Sequence, residues 1–126
     1  MTADPSANRR PEGLRVIIVE DETLIALLLE SMLEDLGHVV VGMAATVNAA
    51  VELASHEEAD LAVLDVNLAG QESYAAVDAF AARNVPYVLV TGYDPGRLRP
   101  QYRVRPILQK PYLQHDLKEA IERACN

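Results

Sequence analysis

Five short runs rich in β-branched and aliphatic residues, at positions 15–19, 38–44, 61–64, 87–90 and 107–109, alternate with stretches of helical spacing at 23–36, 47–58, 73–83, 95–102 and 114–124. This alternation is the strongest constraint on what the chain can fold into. Several of the short runs, VIIV and LAVL among them, are apolar at consecutive positions. A strand with one solvated face alternates apolar and polar residues. A continuous apolar run needs cover on both faces, as in a parallel sheet held between helices. Repeated strand–helix–strand units imply right-handed crossovers, so the expected architecture is a three-layer α/β sandwich with five parallel strands. The punctuation agrees. Gly37 stops the first helix, Thr46 caps the second, and Pro86 opens the fourth strand, where a missing N–H is tolerated. The stretch GYDPGRLRPQYRVRP, from Gly92 to Pro106, holds three prolines and two glycines. Proline removes donors and glycine carries unfolded-state entropy, so the fourth helix is expected to be short or irregular.

A chain of 126 residues suits one domain with one sizeable core, here residues 14–126 behind a loose polar tail at 1–13. The formal charge of −8 argues against a nucleic-acid partner, because a phosphate backbone calls for a basic surface. No apolar run is long enough to span a membrane, and the first residues lack a signal-peptide core, so a cytoplasmic location is expected. Cys125 is the single cysteine, which excludes an internal disulfide and leaves it without metal-ligand spacing. His38, His56 and His115 are scattered without ligand spacing, and surface or capping roles are expected for all three.

The chemistry concentrates where strands end. In an open α/β sheet, ligands bind beyond the carboxyl ends of the strands. The first run ends VIIVEDE, placing Glu20, Asp21 and Glu22 in succession. Each carboxylate there raises the cost of ionising the next, an arrangement that a divalent cation would make favourable. LAVLD ends in Asp65, YVLVT in Thr91, and ILQK in Lys110 before Pro111. Any one of these is unremarkable as a turn former or a solvated side chain; it is their joint occurrence at four strand ends that points to a site. No glycine-rich phosphate-cradling motif follows the first strand, so a nucleotide-binding fold has little support.

The elements VEDE, LAVLDVNL, VTG and QKP, in this order and with this separation of Asp21 from Asp65, resemble the receiver domain of two-component response regulators. The resemblance spans Leu14 to the C-terminus. It implies a flavodoxin-like fold with strand order 2-1-3-4-5. It also implies a phosphorylatable aspartate, Asp65, that takes phosphoryl from a phosphohistidine on a sensor histidine kinase or histidine phosphotransfer protein. Asp21 and Asp65 would hold Mg²⁺ directly, Glu20 directly or through water, and the main-chain carbonyl of Asn67 would complete the protein ligands. Lys110 would pair with a phosphoryl oxygen and the Thr91 hydroxyl with another, so that Asp65, Thr91 and Lys110 carry the reaction. Such a domain promotes its own phosphorylation and dephosphorylation without being a turnover enzyme, and signals by conformational change to a downstream protein partner. The bond between Lys110 and Pro111 is expected to be cis. Glu22 is expected to start the first helix, where an acid favours the dipole. A hydrolase of phosphate esters is disfavoured, because Asn67 stands where its second aspartate would be.

Four departures and surfaces stand out. Receivers usually carry an aromatic residue three positions before the lysine, and here that position is Ile107. This puts the common hydroxyl–aromatic coupling in doubt and leaves a phosphorylation-independent binding module as the rival reading. VTGYD resembles a receiver subfamily, often stand-alone, with a Thr-Gly-Tyr signature after the fourth strand. Tyr93 is then either a substitute moving aromatic or a loop residue covering the edge of the core. Arg97, Arg99, Arg103, Arg105 and Lys110 occur with no acid between Asp94 and Asp116. They form either a solvated face or an output face for an acidic partner. In the first helix, Ile25, Leu28, Leu29, Met32 and Leu36 make the stripe expected to face the sheet. Leu24 and Leu27 lie off it and are expected to join an interface with the phosphodonor.

Overall fold

The computed structural model describes residues 12–125. In chain order its elements are β1 (Arg15–Val19), α1 (Thr23–Asp35), β2 (Val39–Ala44), α2 (Val47–His56), β3 (Leu61–Asp65), β4 (Asn67–Leu68), β5 (Gln71–Glu72), α3 (Tyr74–Ala82), β6 (Tyr87–Thr91), two 3₁₀ turns (Pro95–Arg97 and Pro100–Tyr102), β7 (Ile107–Gln109) and α4 (Gln114–Cys125). The five expected strands form one parallel sheet in the order β2-β1-β3-β6-β7. Counted without the β4–β5 hairpin, this is the expected order 2-1-3-4-5, and the fold is the flavodoxin-like sandwich.

The sheet divides the core in two because successive side chains of a strand point to opposite faces. Ile17, Val19, Ala62, Leu64 and Leu89 lie on one face in a cluster with Ala50 and Ala54 of α2 and Val77 and Phe80 of α3. Val16, Ile18, Val63 and Val88 lie on the other, with Leu33 of α1 and Leu117 and Ile121 of α4. Every residue of β3 and β6 is buried, as their unbroken apolar runs require. Each buried side chain of this size stabilises the fold by about 1.5–3 kcal/mol.

Local chemistry sets the element ends. Thr46 caps α2 by accepting from the Ala49 N–H at 3.1 Å. Gly37 sits at φ +92°, the left-handed conformation that lets the chain leave α1 and turn into β2. Glu22 is the N-cap residue of α1, although its side chain makes no capping bond. Lys110–Pro111 is cis.

Four features differ from the sequence reading. Leu28 was expected to face the sheet and is 62% exposed; Ala26, Leu29 and Leu33 are the buried positions of α1. The helix carries more leucines than one face can bury, and the contacting stripe centres on the small Ala26, which does not hold the helix off the strands. His38 is buried, at 7% exposure, and its Nδ1 accepts from the Leu14 N–H at 3.2 Å, so it ties β1 to the start of β2. His56 and His115 are exposed, as expected. The hairpin β4–β5 was not foreseen; two-residue strands carry too little pattern to read. Finally, the arginines after β6 are exposed but engaged: Arg103 donates to the carbonyls of Leu98 and Gly96, while Arg97, Arg99 and Arg105 lie over Tyr93, Tyr74 and Tyr87. The expected short fourth helix is the pair of 3₁₀ turns, with Leu98 and Tyr102 buried beneath. Of the expected tail, residues 1–11 lie outside the described residues.

Candidate functional site

Parallel register decides which strand-end residues meet. Val19 of β1 pairs with Leu64 of β3, Asp65 with Val90 of β6, and Thr91 with Gln109 of β7. Glu20, Asp65, Thr91 and Lys110 therefore stand at neighbouring ends of four adjacent strands. Main-chain bonds pin them there: the Glu20 N–H donates to Ala44 at 2.9 Å and the Lys110 N–H to Thr91 at 2.8 Å. Glu20, Asp65 and Thr91 are all buried polar residues, at 6%, 6% and 1% exposure. Burying such groups costs free energy unless they are paired.

Lys110 supplies the pairing. Its Nζ lies 2.5 Å from Asp65 Oδ2 and 3.1 Å from Glu20 Oε1. Burial alone would lower its pKa, but the hydrogen bonds and charges of Asp65 and Glu20 outweigh burial and raise it. Burial pushes the Glu20 carboxyl up, and the nearby Asp65 adds to this; the Glu22 N–H at 3.0 Å and Lys110 offset only part. Carboxylate oxygens of Glu20, Asp21 and Asp65 lie within 4.8 Å of one another. Three gathered acids, two of them sharing one ammonium, leave the edge short of positive charge.

The second oxygen of Asp65, Oδ1, accepts from the Asn67 N–H at 2.9 Å. The Asn67 side chain bridges the hairpin and the loop after β6: its Oδ1 accepts from the Gly70 N–H at 2.7 Å, and its amide donates to the Tyr93 hydroxyl. Thr91 Oγ1 accepts from the Tyr93 N–H at 2.9 Å. A cleft of about 330 Å³ opens over this edge, lined by Asp21, Asp65, Asn67, Gly92, Tyr93 and Lys110 among others. All of the residues singled out in the sequence, Glu20, Asp21, Asp65, Asn67, Thr91 and Lys110, come together here. Ile107 is half-buried in β7 and packs against the core.

Ser73 was missed. It is fully buried, and its hydroxyl donates to the Asp65 main-chain carbonyl at 2.6 Å. A serine just before a helix reads as an N-cap, yet its side chain makes no capping bond. Nothing local in the sequence could have shown the longer-range contact.

The sequence profile described as response regulator receiver domain matches residues 16–122. The transcriptional regulatory protein PdtaR of Mycobacterium tuberculosis is 35% identical over 116 residues, covering 89% of this chain and 57% of that protein. The phyllosphere-induced regulator PhyR of Methylorubrum extorquens is 36% identical over 114 residues, covering 86% of this chain and 42% of that protein. The chain thus spans about half the length of these curated relatives. The solution structure of SdrG from Sphingomonas melonis Fr1 superposes with a TM-score of 0.81 at 37% identity, covering 90% of this chain and 98% of that one. No helix among the described residues is long and apolar enough to cross a membrane.

Proposed function

Because this chain belongs to the response regulator receiver family, we propose that it accepts a phosphoryl group on Asp65 from a phosphohistidine of a sensor histidine kinase or histidine phosphotransfer protein. The observation that carries this reading is Lys110 Nζ lying between Asp65 Oδ2 and Glu20 Oε1, at the edge where the carboxylates of Glu20, Asp21 and Asp65 gather. An Asp65 oxygen forms the bond to phosphorus while the bond from phosphorus to the donor imidazole nitrogen breaks, and the imidazole leaves with the bonding pair. Positioning and electrostatics supply nearly all the acceleration such a transfer needs. Lys110 is already on Asp65 and follows the negative charge onto a phosphoryl oxygen. The Thr91 hydroxyl, which accepts from Tyr93, has its own proton to donate to a second one.

The donor set fits a hard divalent cation. Glu20, Asp21 and Asp65, with the Asn67 main-chain carbonyl, offer oxygen ligands only, as Mg²⁺ prefers, and leave room for water in its shell. When bound, Mg²⁺ neutralises charge on the phosphoryl oxygens and on the crowded acids. Leu24 and Leu27, joined by Leu28, are exposed on α1 and support a docking surface for the phosphodonor. A downstream protein partner then reads the phosphorylated form.

Intact-mass measurement after incubation with acetyl phosphate and Mg²⁺ tests this. The wild type gains the mass of one phosphoryl group and Asp65→Asn gains none. A second reading, a binding module indifferent to phosphorylation, is favoured by Ile107, which lacks the aromatic ring usual at that position. It requires no mass gain in the wild type and unchanged partner capture by Asp65→Asn.

A further inference from the structure

The tripeptide Glu72-Ser73-Tyr74 joins the phosphoacceptor to the segment that replaces the fourth helix. At its centre, the buried Ser73 hydroxyl holds the Asp65 main-chain carbonyl at 2.6 Å, and the Ser73 N–H holds the next carbonyl, that of Val66, at 2.8 Å. The residues on either side both hold Arg99. Glu72 Oε1 accepts from the Arg99 guanidinium at 3.2 Å. Tyr74 lies under that guanidinium, 4.5 Å from its ring centroid, and its hydroxyl accepts from the Arg99 main-chain N–H at 3.3 Å. The contact continues into the segment: the Tyr74 ring stacks on Tyr102 at 4.2 Å and 16°, and the Tyr102 hydroxyl donates to Asp78 of α3 at 2.8 Å. Arg99 and Tyr102 flank Pro100 and Gln101 and so fix the second 3₁₀ turn from both sides.

We propose that Glu72-Ser73-Tyr74 relays the state of Asp65 to residues 95–103 through Arg99, in place of a route through β7, where Ile107 offers no hydroxyl and no ring. The inference rests on the reading of Asp65 as phosphoacceptor. Both oxygens of its carboxylate are engaged, Oδ1 by the Asn67 N–H and Oδ2 by Lys110. Converting either one to the acyl phosphate weakens it as an acceptor and shifts the backbone between Asp65 and Ser73, which the Ser73 hydroxyl grips. Ser73 is one residue from each of the two side chains on Arg99, so a change in its position is passed on to that arginine directly. A relay of this kind needs a bistable element, and the 3₁₀ turns are held by a few side-chain contacts instead of a continuous helical ladder.

Amide hydrogen exchange on the full chain, with and without beryllofluoride and Mg²⁺, separates the possibilities. In the wild type, beryllofluoride is expected to change exchange both at residues 65–67 and 91–93 and across 95–103, the latter by about fivefold or more. Arg99→Gln is expected to keep the response at 65–67 and 91–93 and to lose most of it across 95–103, Ser73→Ala to lose most of it across 95–103, and Ile107→Val to keep both. Arg99 is exposed, so Arg99→Gln remains informative should Ser73→Ala fail to fold. A full response across 95–103 in Arg99→Gln, or its loss in Ile107→Val, overturns the relay. A response confined to 65–67 and 91–93 in the wild type overturns the relay and leaves the phosphoacceptor reading standing; no response anywhere removes both.

Discussion

At the amino end of β1, the Arg15 guanidinium meets Asp60 through two side-chain bonds, at 3.0 and 3.1 Å, while the Arg15 N–H takes a third at 2.8 Å. Beside it, the buried His38 imidazole accepts from Leu14. At the carboxyl end of the same sheet, Glu20 and Asp65 share the ammonium of Lys110, and Asp21 crowds beside them. Both ends hold polar groups against an apolar core. At the amino end Arg15 and Asp60 bond each other through side chain and main chain at an exposed rim, where the further acids Glu58 and Glu12 stay in reach of water, so the arrangement serves the fold. At the carboxyl end two buried acids share one ammonium and a third acid lies within 4.8 Å of both, a crowding that a cation would relieve. An exposed ion pair marks a structural contact here; acids gathered at a buried edge mark the candidate site.

Removing Lys110 tests that contrast most severely. In the absence of divalent cation, Lys110→Met leaves two buried carboxylates without their ammonium and is expected to cost about 1–3 kcal/mol of stability, read by urea unfolding. Saturating Mg²⁺ should recover part of that loss. If Mg²⁺ stabilised neither the wild type nor Lys110→Met, the edge would not be a cation site.

His38 gives the next largest effect and works through pH. Burial lowers its pKa from the ordinary 6.5, with Glu12 pulling the other way. The unfolded chain therefore binds a proton at a pH where the folded chain does not. Stability is fully present above about pH 6.5 and declines as the pH falls through that value, because protonation also removes the acceptor for the Leu14 N–H. Asn in place of His38 retains an acceptor and does not titrate. The drop between pH 7 and 5 should be smaller in His38→Asn, measured by thermal unfolding; an undiminished drop would place the titration elsewhere.

The smallest effect is expected at Asp60, whose carboxyl the Arg15 hydrogen bond holds below its ordinary 3.8. Its contribution is present above about pH 4 and lost as the pH falls further. The pair is well exposed, so Asp60→Asn should destabilise only slightly, by an amount that high salt erases, and should leave phosphoryl uptake at Asp65 unchanged. Altered uptake would show that the two ends of the sheet are coupled.

The exposed arginines after β6 qualify one expectation drawn from charge alone. A basic stretch in an acidic chain reads as a solvated face or an output face for an acidic partner; here Arg103 also bonds the carbonyls of Leu98 and Gly96, and Arg97, Arg99 and Arg105 each cover a tyrosine ring. These guanidiniums stand in for the hydrogen bonds and packing that a regular helix would supply. Reversing the charge of Arg99 or Arg103 would therefore loosen the segment as well as change its surface.

The sequence by itself determined the five strands of the parallel sheet, their order with the helices between them, and the rim where Glu20, Asp21, Asp65, Thr91 and Lys110 stand. Unbroken apolar runs can be buried only between two helical layers, and a residue that ends a parallel strand has nowhere to go but the shared rim. It determined the irregularity after β6 for the same kind of reason, since prolines and glycines act locally. Tertiary structure decided which of two overlapping leucine stripes on α1 meets the sheet, that His38 is buried against Leu14, and that Ser73 reaches back to Asp65. Those outcomes depend on contacts between residues distant along the chain, on how closely a helix approaches its strands, and on which donor finds a carbonyl once the backbone is in place. Local pattern carries no record of such distances.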